Sequence, residues 1–311
     1  MTQQIDVAVI GAGIAGLSAA LTLGRLGRSV VLLSDGVPGG ELLKIERIDG
    51  VPGHAEGVAG YDLCPTVQEQ AEALGVRLLD VPASAVAAQD DGWLVSSDAG
   101  DHLARAVVVA TGTVMARLGV PGEERLEGKG VSDCASCDGP LLRGKTAVVA
   151  GGGDSAMQEA LVLADHAAKV FMLVRDDQLH GQASYRDLVL GNPRIEVRYG
   201  SIPVEILGGD HVTHVRARSL ASGAEEDIAA DAIFTFVGLV PNTSVVEGLV
   251  PLGGTGRIAV DPAMRTKARG ICAAGNVREG SPHRAAGGMG DAAAAAVAID
   301  AYLATGDWPA A

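Results

Sequence analysis

Aromatic residues are nearly absent: Phe, Trp and Tyr together make up 3% of the 311 positions. That scarcity removes the stacking platform on which single-stranded nucleic acids are bound. Excess positive charge is absent as well. Lys and Arg number 24 against 38 Asp and Glu, a formal net charge of −14, so a nucleic-acid phosphate backbone is not an expected partner and the acidity serves solubility. Four cysteines in a chain of this length do not make a disulfide framework. Long apolar runs are missing too. The Ala292 to Ile299 run is bounded by Asp291 and Asp300 and is far too short to span a bilayer. The amino terminus, Met1-Thr2-Gln3-Gln4, carries no basic region and runs straight into a strand, so no signal peptide is visible. A soluble cytoplasmic protein without membrane or nucleic-acid partners is expected. What is plentiful is apolar surface and glycine, 48% hydrophobic residues and 43 Gly, enough to bury substantial cores in about two domains.

The glycines fall in two places with the same surroundings. Ile5 to Ile10 is a β-branched apolar run, followed by Gly11-Ala12-Gly13-Ile14-Ala15-Gly16, a small-residue helix from Leu17 to Leu26, and a second strand, Ser29 to Leu33, ending at Asp35. Glycine at these positions permits a tight turn, close approach of backbone to a pyrophosphate, and close packing of helix on strand. The helix N-terminus then faces the phosphates, and Asp35 stands where an acid can bind ribose hydroxyls. Arg143 to Ala150 repeats the pattern into Gly151-Gly152-Gly153-Asp154-Ser155-Ala156, a helix through Leu163, and a strand from Lys169 to Val174. Two such units predict two dinucleotides and electron transfer between them.

Between the fingerprints lies Cys134-Ala135-Ser136-Cys137-Asp138-Gly139. Two thiols separated by two residues can form and break a disulfide with little backbone movement, and a helix starting at the pair favours the thiolate. Asp138 follows the second sulfur, where a carboxylate can hand protons to a leaving thiolate. Half of a zinc site is the competing reading. Cys64 and Cys272 are isolated and no second C-x-x-C or H-x-x-x-H exists, so a redox pair is favoured and no metal is expected.

The remaining chain reads as connections and short elements. Pro38-Gly39-Gly40-Glu41-Leu42 and Gly50-Val51-Pro52-Gly53 are loops, and Tyr61 to Leu74 is helical by period. Arg77 to Asp80, Ala85 to Ala88, Trp93 to Ser96 and His102 to Arg105 read as a meander beside the main sheet, with Val107 to Gly112 as a separate buried strand closing in a glycine turn. Ile195 to Tyr199, Pro203 to Leu207 and Val212 to Leu220 read as hairpin-like segments. Ala232 to Val237 reads as a strand, Gly256 to Val260 and Gly270 to Asn276 lead onward, and an alanine-rich helix closes the chain. His166, His211 and His214 read as surface residues, Cys64 and Cys272 as small buried hydrophobes, and Phe171 and Met172 as strand core. The fold class is α/β: two Rossmann-like three-layer ββα nucleotide-binding domains, the second inserted into the first.

Over nearly its whole length the chain resembles the low-molecular-weight thioredoxin reductases of the pyridine-nucleotide disulfide oxidoreductases. The resemblance rests on Gly11/Gly13/Gly16, Pro38 to Leu42, Ala110-Thr111-Gly112, the Cys134–Cys137–Asp138–Gly139 centre, Gly151 to Ala156, Gly238 with Pro241-Asn242-Thr243, and Ala273-Ala274-Gly275-Asn276. It implies a discontinuous FAD domain, residues 1–115 and 244–311, and an inserted NAD(P)-binding-like domain, residues 116–243, that carries the dithiol and swivels in relatives. It implies FAD contacts from Gly11, Gly13, Gly16, Asp35, Gly40, Glu41, Leu42, Ala110, Thr111, Gly112, Gly275, Asn276, Arg284 and Ala285. It implies nicotinamide-nucleotide contacts from Gly151, Gly153, Asp154, Ser155, Ala156, Arg175 and Asp176. By position Cys137 would face the flavin, Cys134 would exchange with an external thioredoxin-like protein or small-molecule disulfide, and Asp138 would be the acid/base. A homodimer is implied.

Three positions depart from the family pattern. NADPH-using members carry His-Arg-Arg and a further Arg after the second domain's second strand, where this chain has Val174-Arg175-Asp176 and His180. Asp176 repels a 2′-phosphate and can accept hydrogen bonds from an unphosphorylated ribose, so NADH is expected over NADPH. The usual Gly-Asp near the flavin ribitol is Gly275-Asn276, and the usual Arg-Gln opening the last helix is Arg284-Ala285, preceded by His283. Relatives lacking the phosphate-binding arginines include ferredoxin-fed reductases and oxygen-dependent dithiol oxidases. The oxidases often place His after the second Cys, so Asp138 favours a reductase. A flavin-binding regulatory protein without turnover is the remaining alternative.

Overall fold

The computed structural model describes residues 3–309; Met1 and Thr2 of the amino-terminal reading, and Ala310 and Ala311, lie outside. The chain forms two compact units, one running up to Val114 and resuming at Pro241, the other Met115–Val240.

In the first unit the strand Gln3–Ile10 is central, parallel to Val30–Leu33 on one side and His102–Val109 on the other. Arg77–Leu79 extends the parallel edge, and Ile271–Ala273 pairs with the second half of His102–Val109. Strand alternation divides the core. Val7, Val9, Leu32 and Val108 cluster with the helices Ile14–Arg25, Gly60–Glu72 and Ala285–Thr305, whose Leu17, Leu23 and Ile299 are wholly buried. Ala8, Ile10, Val31, Leu33 and Val107 point the other way and pack with Val86, Val95, Val246 and Ile258. The first helix begins at extended Gly13 and stops in a Schellman turn: Arg28 N–H donates to the Leu23 carbonyl and Gly27 N–H to Gly24, with Gly27 at φ 76°.

The second unit repeats the plan. Five parallel strands run in the order Ile195–Tyr199, Lys169–Val174, Thr146–Ala150, Ala232–Thr235, Val131–Ser132. Ala147, Val149 and Met172 pack against Met157 and Leu163 of the helix Asp154–His166. Val148, Ala150 and Leu173 pack against Ile206, Val215 and Ile228 of an antiparallel sheet, Ser201–Gly208, Val212–Ser219 and Glu225–Ala229. Each unit is thus helix, parallel sheet and β-meander in three layers.

Several details differ from the expectation. His102–Val109 is one strand rather than two: Arg105 stays in register with its side chain turned out to Asp6 (3.1 Å) and the Leu303 carbonyl (3.0 Å). Its first half pairs antiparallel with Gly92–Ser97, which pairs with Ala83–Gln89, so these strands branch from the main sheet; Arg77–Leu79 belongs to that sheet's opposite, parallel edge. Ile195–Tyr199 is a parallel edge strand, not part of a hairpin. The helix Ala183–Gly191 and the strand Glu225–Ala229 were not foreseen. Residues 256–260 make only isolated bridges, Ile258 to Leu252 and Arg278. Phe171 is half-buried, its ring covered by the Arg198 guanidinium at 4.4 Å, whereas Met172 is core.

Candidate functional site

The first unit contains a cleft of about 620 Å³ at the C-terminal ends of its parallel strands, within the size range of cofactor sites. Gly11 turns at φ 98°, where a Cβ would overlap the Ala110 carbonyl, and a Cβ on Gly16 would fall on the Gly11 carbonyl. Gly13 differs: a Cβ there would meet no protein atom, so the space it leaves faces the cleft. Gly13 caps the helix Ile14–Arg25 without a side-chain hydrogen bond, which leaves first-turn N–H groups for an anion.

Of the residues expected to contact FAD, all but Gly16 line this cleft: Gly11, Gly13, Asp35, Gly40, Glu41 and Leu42 on one side, Ala110, Thr111, Gly112, Gly275, Asn276, Arg284 and Ala285 on the other. Gly16 sits behind, holding helix to strand. The Gly40–Lys44 segment, read as plain loop, is a 3-10 turn. Asn242, to which the motif assigns no role, donates from Nδ2 to the Thr111 carbonyl at 3.0 Å, and its carbonyl accepts from Thr111 Oγ1, fixing one wall. Ser281 Oγ donates to Asn276 Oδ1 (3.1 Å), which leaves the Asn276 amide N–H groups available. His283 is at the rim in the left-handed region, φ 53°; burial, then Arg257, Arg284 and Arg278, hold its imidazole below the ordinary histidine range.

Asp291 was missed altogether. It is buried on the last helix, accepts from Gly275 N–H at 3.1 Å, and pairs bidentately with Arg278 at 2.7 and 2.8 Å, bracing the Gly275–Asn276 turn from beneath. An Asp directly before the alanine run of an apolar helix is the only sequence signal for it. The two free thiols are inert: burial pushes Cys64 up to about 11, and burial with neighbouring Asp261 pushes Cys272 further.

In the second unit Cys134 and Cys137 form a disulfide with Cα atoms 5.3 Å apart. Ala135–Asp138 is a single helical turn that continues as the 3-10 turn Gly139–Leu142. Cys134 is its N-cap: its Sγ accepts from Cys137 N–H (3.2 Å), and its own N–H donates to Ser132 Oγ (3.1 Å). Cys134 is 5% exposed, Cys137 is exposed, and Asp138 is half-buried. The exposures therefore run opposite to the exchange role implied for Cys134.

The second fingerprint is intact in shape. Gly151 turns at φ 137° against the Phe236 carbonyl, Gly153 caps the helix without a side chain, and Ala156 is buried on the strand side. The segment after the second strand folds back over it: His180 N–H donates to the Gly152 carbonyl (2.8 Å) and Gln182 N–H to Asp154 Oδ1 (2.8 Å). Ser155 is exposed in the first turn. Asp176 lies 3.4 Å from Arg175 Nε and 3.2 Å from His180 Nε2, so the remaining arginine is already matched by a carboxylate.

Residues 5–296 match the pyridine nucleotide-disulphide oxidoreductase family. The chain belongs to that family. Among its relatives, a thioredoxin reductase of Treponema pallidum is 35% identical over 308 residues, covering 98% of this chain and 99% of the relative. One from Bacillus subtilis is 33% identical, covering 96% and 94%. The crystal structure of Lactococcus lactis thioredoxin reductase superposes with a TM-score of 0.93 at 32% identity, covering 96% of this chain and 99% of that one. This pyridine nucleotide-disulphide oxidoreductase is an FAD-dependent flavoenzyme of the thioredoxin reductase kind, acting on disulfides with a nicotinamide dinucleotide. Among the described residues no helix is long and apolar enough to cross a membrane, and no cluster of potential metal ligands occurs.

Proposed function

We propose that the enzyme reduces the disulfide of a thioredoxin-like protein, with NADH preferred over NADPH, as a cytoplasmic homodimer. The observation that carries this reading is the preformed Cys134–Cys137 disulfide, with Asp138 following it in the same turn, in a chain of two glycine-fingerprinted units.

The first unit, close to the expected residues 1–115 and 244–311, is the FAD domain. The first-turn N–H groups after Gly13 hold the pyrophosphate, Asp35 accepts from ribose hydroxyls, and the Asn276 amide donates to the ribitol. Gly40, Glu41, Leu42, Ala110, Thr111 and Gly112 wall the cleft, with Arg284 and Ala285 at its end. Bound FAD supplies the two-electron relay between nicotinamide and disulfide. The second unit, expected as 116–243, takes the nicotinamide nucleotide at Gly151, Gly153, Ser155 and Ala156, with Asp154 holding the covering segment and Arg175 and Asp176 at the ribose.

Two electrons and two protons open the Cys134–Cys137 bond. One thiolate attacks the substrate disulfide, the second thiol resolves the mixed disulfide, and the substrate leaves as its dithiol. Asp138 holds the proton that the leaving thiolate takes.

Anaerobic stopped-flow reduction of the bound flavin by NADH and NADPH tests the donor, and turnover with oxidised thioredoxin tests the acceptor. Faster, tighter reduction by NADPH overturns the donor assignment. No reduction by either nucleotide replaces it with a ferredoxin-fed or oxidase variant. Cys137→Ser should abolish thioredoxin reduction while flavin reduction persists; native turnover in that variant makes the pair structural.

A further inference from the structure

Beneath the disulfide lies a carboxylate that neither the fingerprint nor the redox chemistry uses. Glu159 is on the helix Asp154–His166 and only 7% exposed, and its Oε2 accepts from Ala135 N–H at 2.7 Å. Ala135 is fully buried and follows Cys134, itself 5% exposed, so the carboxylate, the peptide and the first cysteine share one water-excluded pocket. Asp133 and Asp138 flank the pair on its own segment, and His166 lies on the helix below, its ring 3.1 Å from where a Cβ on Gly139 would sit.

We propose that Glu159 is a positioning residue that sets the reducing power of the Cys134–Cys137 pair. The inference rests on that pair being the redox centre. A cysteine opening a helical turn ordinarily has its thiolate favoured by the exposed backbone N–H groups. Here the first of them is bound by a carboxylate, and only Cys137 N–H reaches the Cys134 sulfur. A buried carboxylate that takes the peptide N–H following Cys134 withdraws that donor from the sulfur, which disfavours the thiolate and so disfavours the reduced pair at neutral pH. The dithiol becomes the stronger electron donor, which suits an enzyme that delivers electrons to another protein's disulfide.

The test is the equilibrium of the holoenzyme with glutathione, read by alkylation and mass spectrometry. Reduction converts the Cys134–Cys137 bond to two thiols while two glutathione thiols become one glutathione disulfide, so electrons and protons balance. Glu159→Gln keeps the size and an accepting oxygen and removes the charge. It should shift the equilibrium about tenfold toward the dithiol, about 30 mV for two electrons, and Glu159→Asp should restore most of the shift. Glu123→Gln is the control, since Glu123 is a buried carboxylate of the same unit that bonds Leu118 and Gly119 N–H instead. A purely structural Glu159 would lower the unfolding temperature and leave the equilibrium constant unchanged, overturning the proposal. If the Gln variant does not fold, the wild-type protein decides. The pH profile of Cys134 alkylation should give a thiol pKa no lower than the free-cysteine value of about 8.5, and a value near 7 or below overturns the proposal. A pair that even excess dithiothreitol cannot reduce instead removes the redox reading on which the inference stands.

Discussion

The two glycine fingerprints are built alike and finished differently. At Gly11–Gly16 the strand ends open into a cleft of about 620 Å³, and a Cβ on Gly13 would meet no protein atom. At Gly151–Ala156 the segment after the next strand closes back, with His180 and Gln182 bonded to Gly152 and Asp154. The third position differs too, Gly16 lying on the Gly11 carbonyl and Ala156 accommodating its methyl. The fingerprint supplies only N–H groups for phosphates. On the proposed assignment, what sets a site for a resident cofactor apart from one for an exchanging nucleotide is the chain that follows the motif.

The largest effect expected from breaking this comparison is at Gly16. Gly16→Val places carbon on the Gly11 carbonyl and should yield colourless protein destabilised by at least ~3 kcal/mol. The counterpart Ala156→Gly should cost only about 1 kcal/mol and keep nucleotide binding. Thermal unfolding and flavin absorbance check both. Asp291→Ala comes close behind. It strands the Arg278 guanidinium and leaves Gly275 N–H without this acceptor, so about 3–5 kcal/mol of stability should go, with flavin released well below the unfolding temperature. Nothing in the second unit depends on that pair, so nucleotide binding there should survive.

The comparison sharpens at the second site's edge. With Asp176 set against Arg175, NADH should be used roughly a hundredfold better than NADPH, and Asp176→Arg should reduce or reverse that ratio in kcat/KM. The smallest effect belongs to a residue far from either motif. His102 is buried, and burial, then Arg77, holds its imidazole below the ordinary range; its Nδ1 has no hydrogen-bond partner. A depressed folded pKa means a contribution present above the unfolded value of about 6.5 and lost as pH falls through the folded one. His102→Gln should therefore flatten the acid side of the stability profile, measured by urea unfolding between pH 7 and 5.

The residues that carry backbone geometry were legible, because glycine and β-branched runs report local constraints directly. Val30–Leu33, buried on both faces, and Lys169–Val174, half-buried only at Lys169 and Phe171, both read as strands. Charged residues misled where partners lay far off in sequence. Arg105 broke the pattern of a continuous strand because its partners, Asp6 and Leu303, cannot be seen from its neighbours. The helix Ala183–Gly191 buries only Tyr185 and Val189, too few to set a period. Glu159 and Asp291 are acids on the buried faces of their helices, and their roles exist only once Ala135 and Gly275 are folded against them. The disulfide was readable from its spacing, whereas the burial of Cys134 beside an exposed Cys137 was not.

The strand His102–Val109 is completed by Ile271–Ala273, and the cluster around Val7 and Val9 by Ile299 and Leu303. During synthesis these partners emerge at least 162 residues after the strand they cover ends at Val109. Met115–Val240, by contrast, contains every strand of its own sheets and leaves the ribosome in one piece. Domains fold as units once their sequence is available. The inserted unit therefore matures first, and the first half of the other waits with an unfinished sheet edge and an uncovered apolar face. Nascent chains arrested at increasing length should become protease-resistant over Met115–Val240 before the preceding residues do. The interrupted arrangement thus fixes an order of assembly in which the dithiol turn is folded before the first unit's cleft has its second wall.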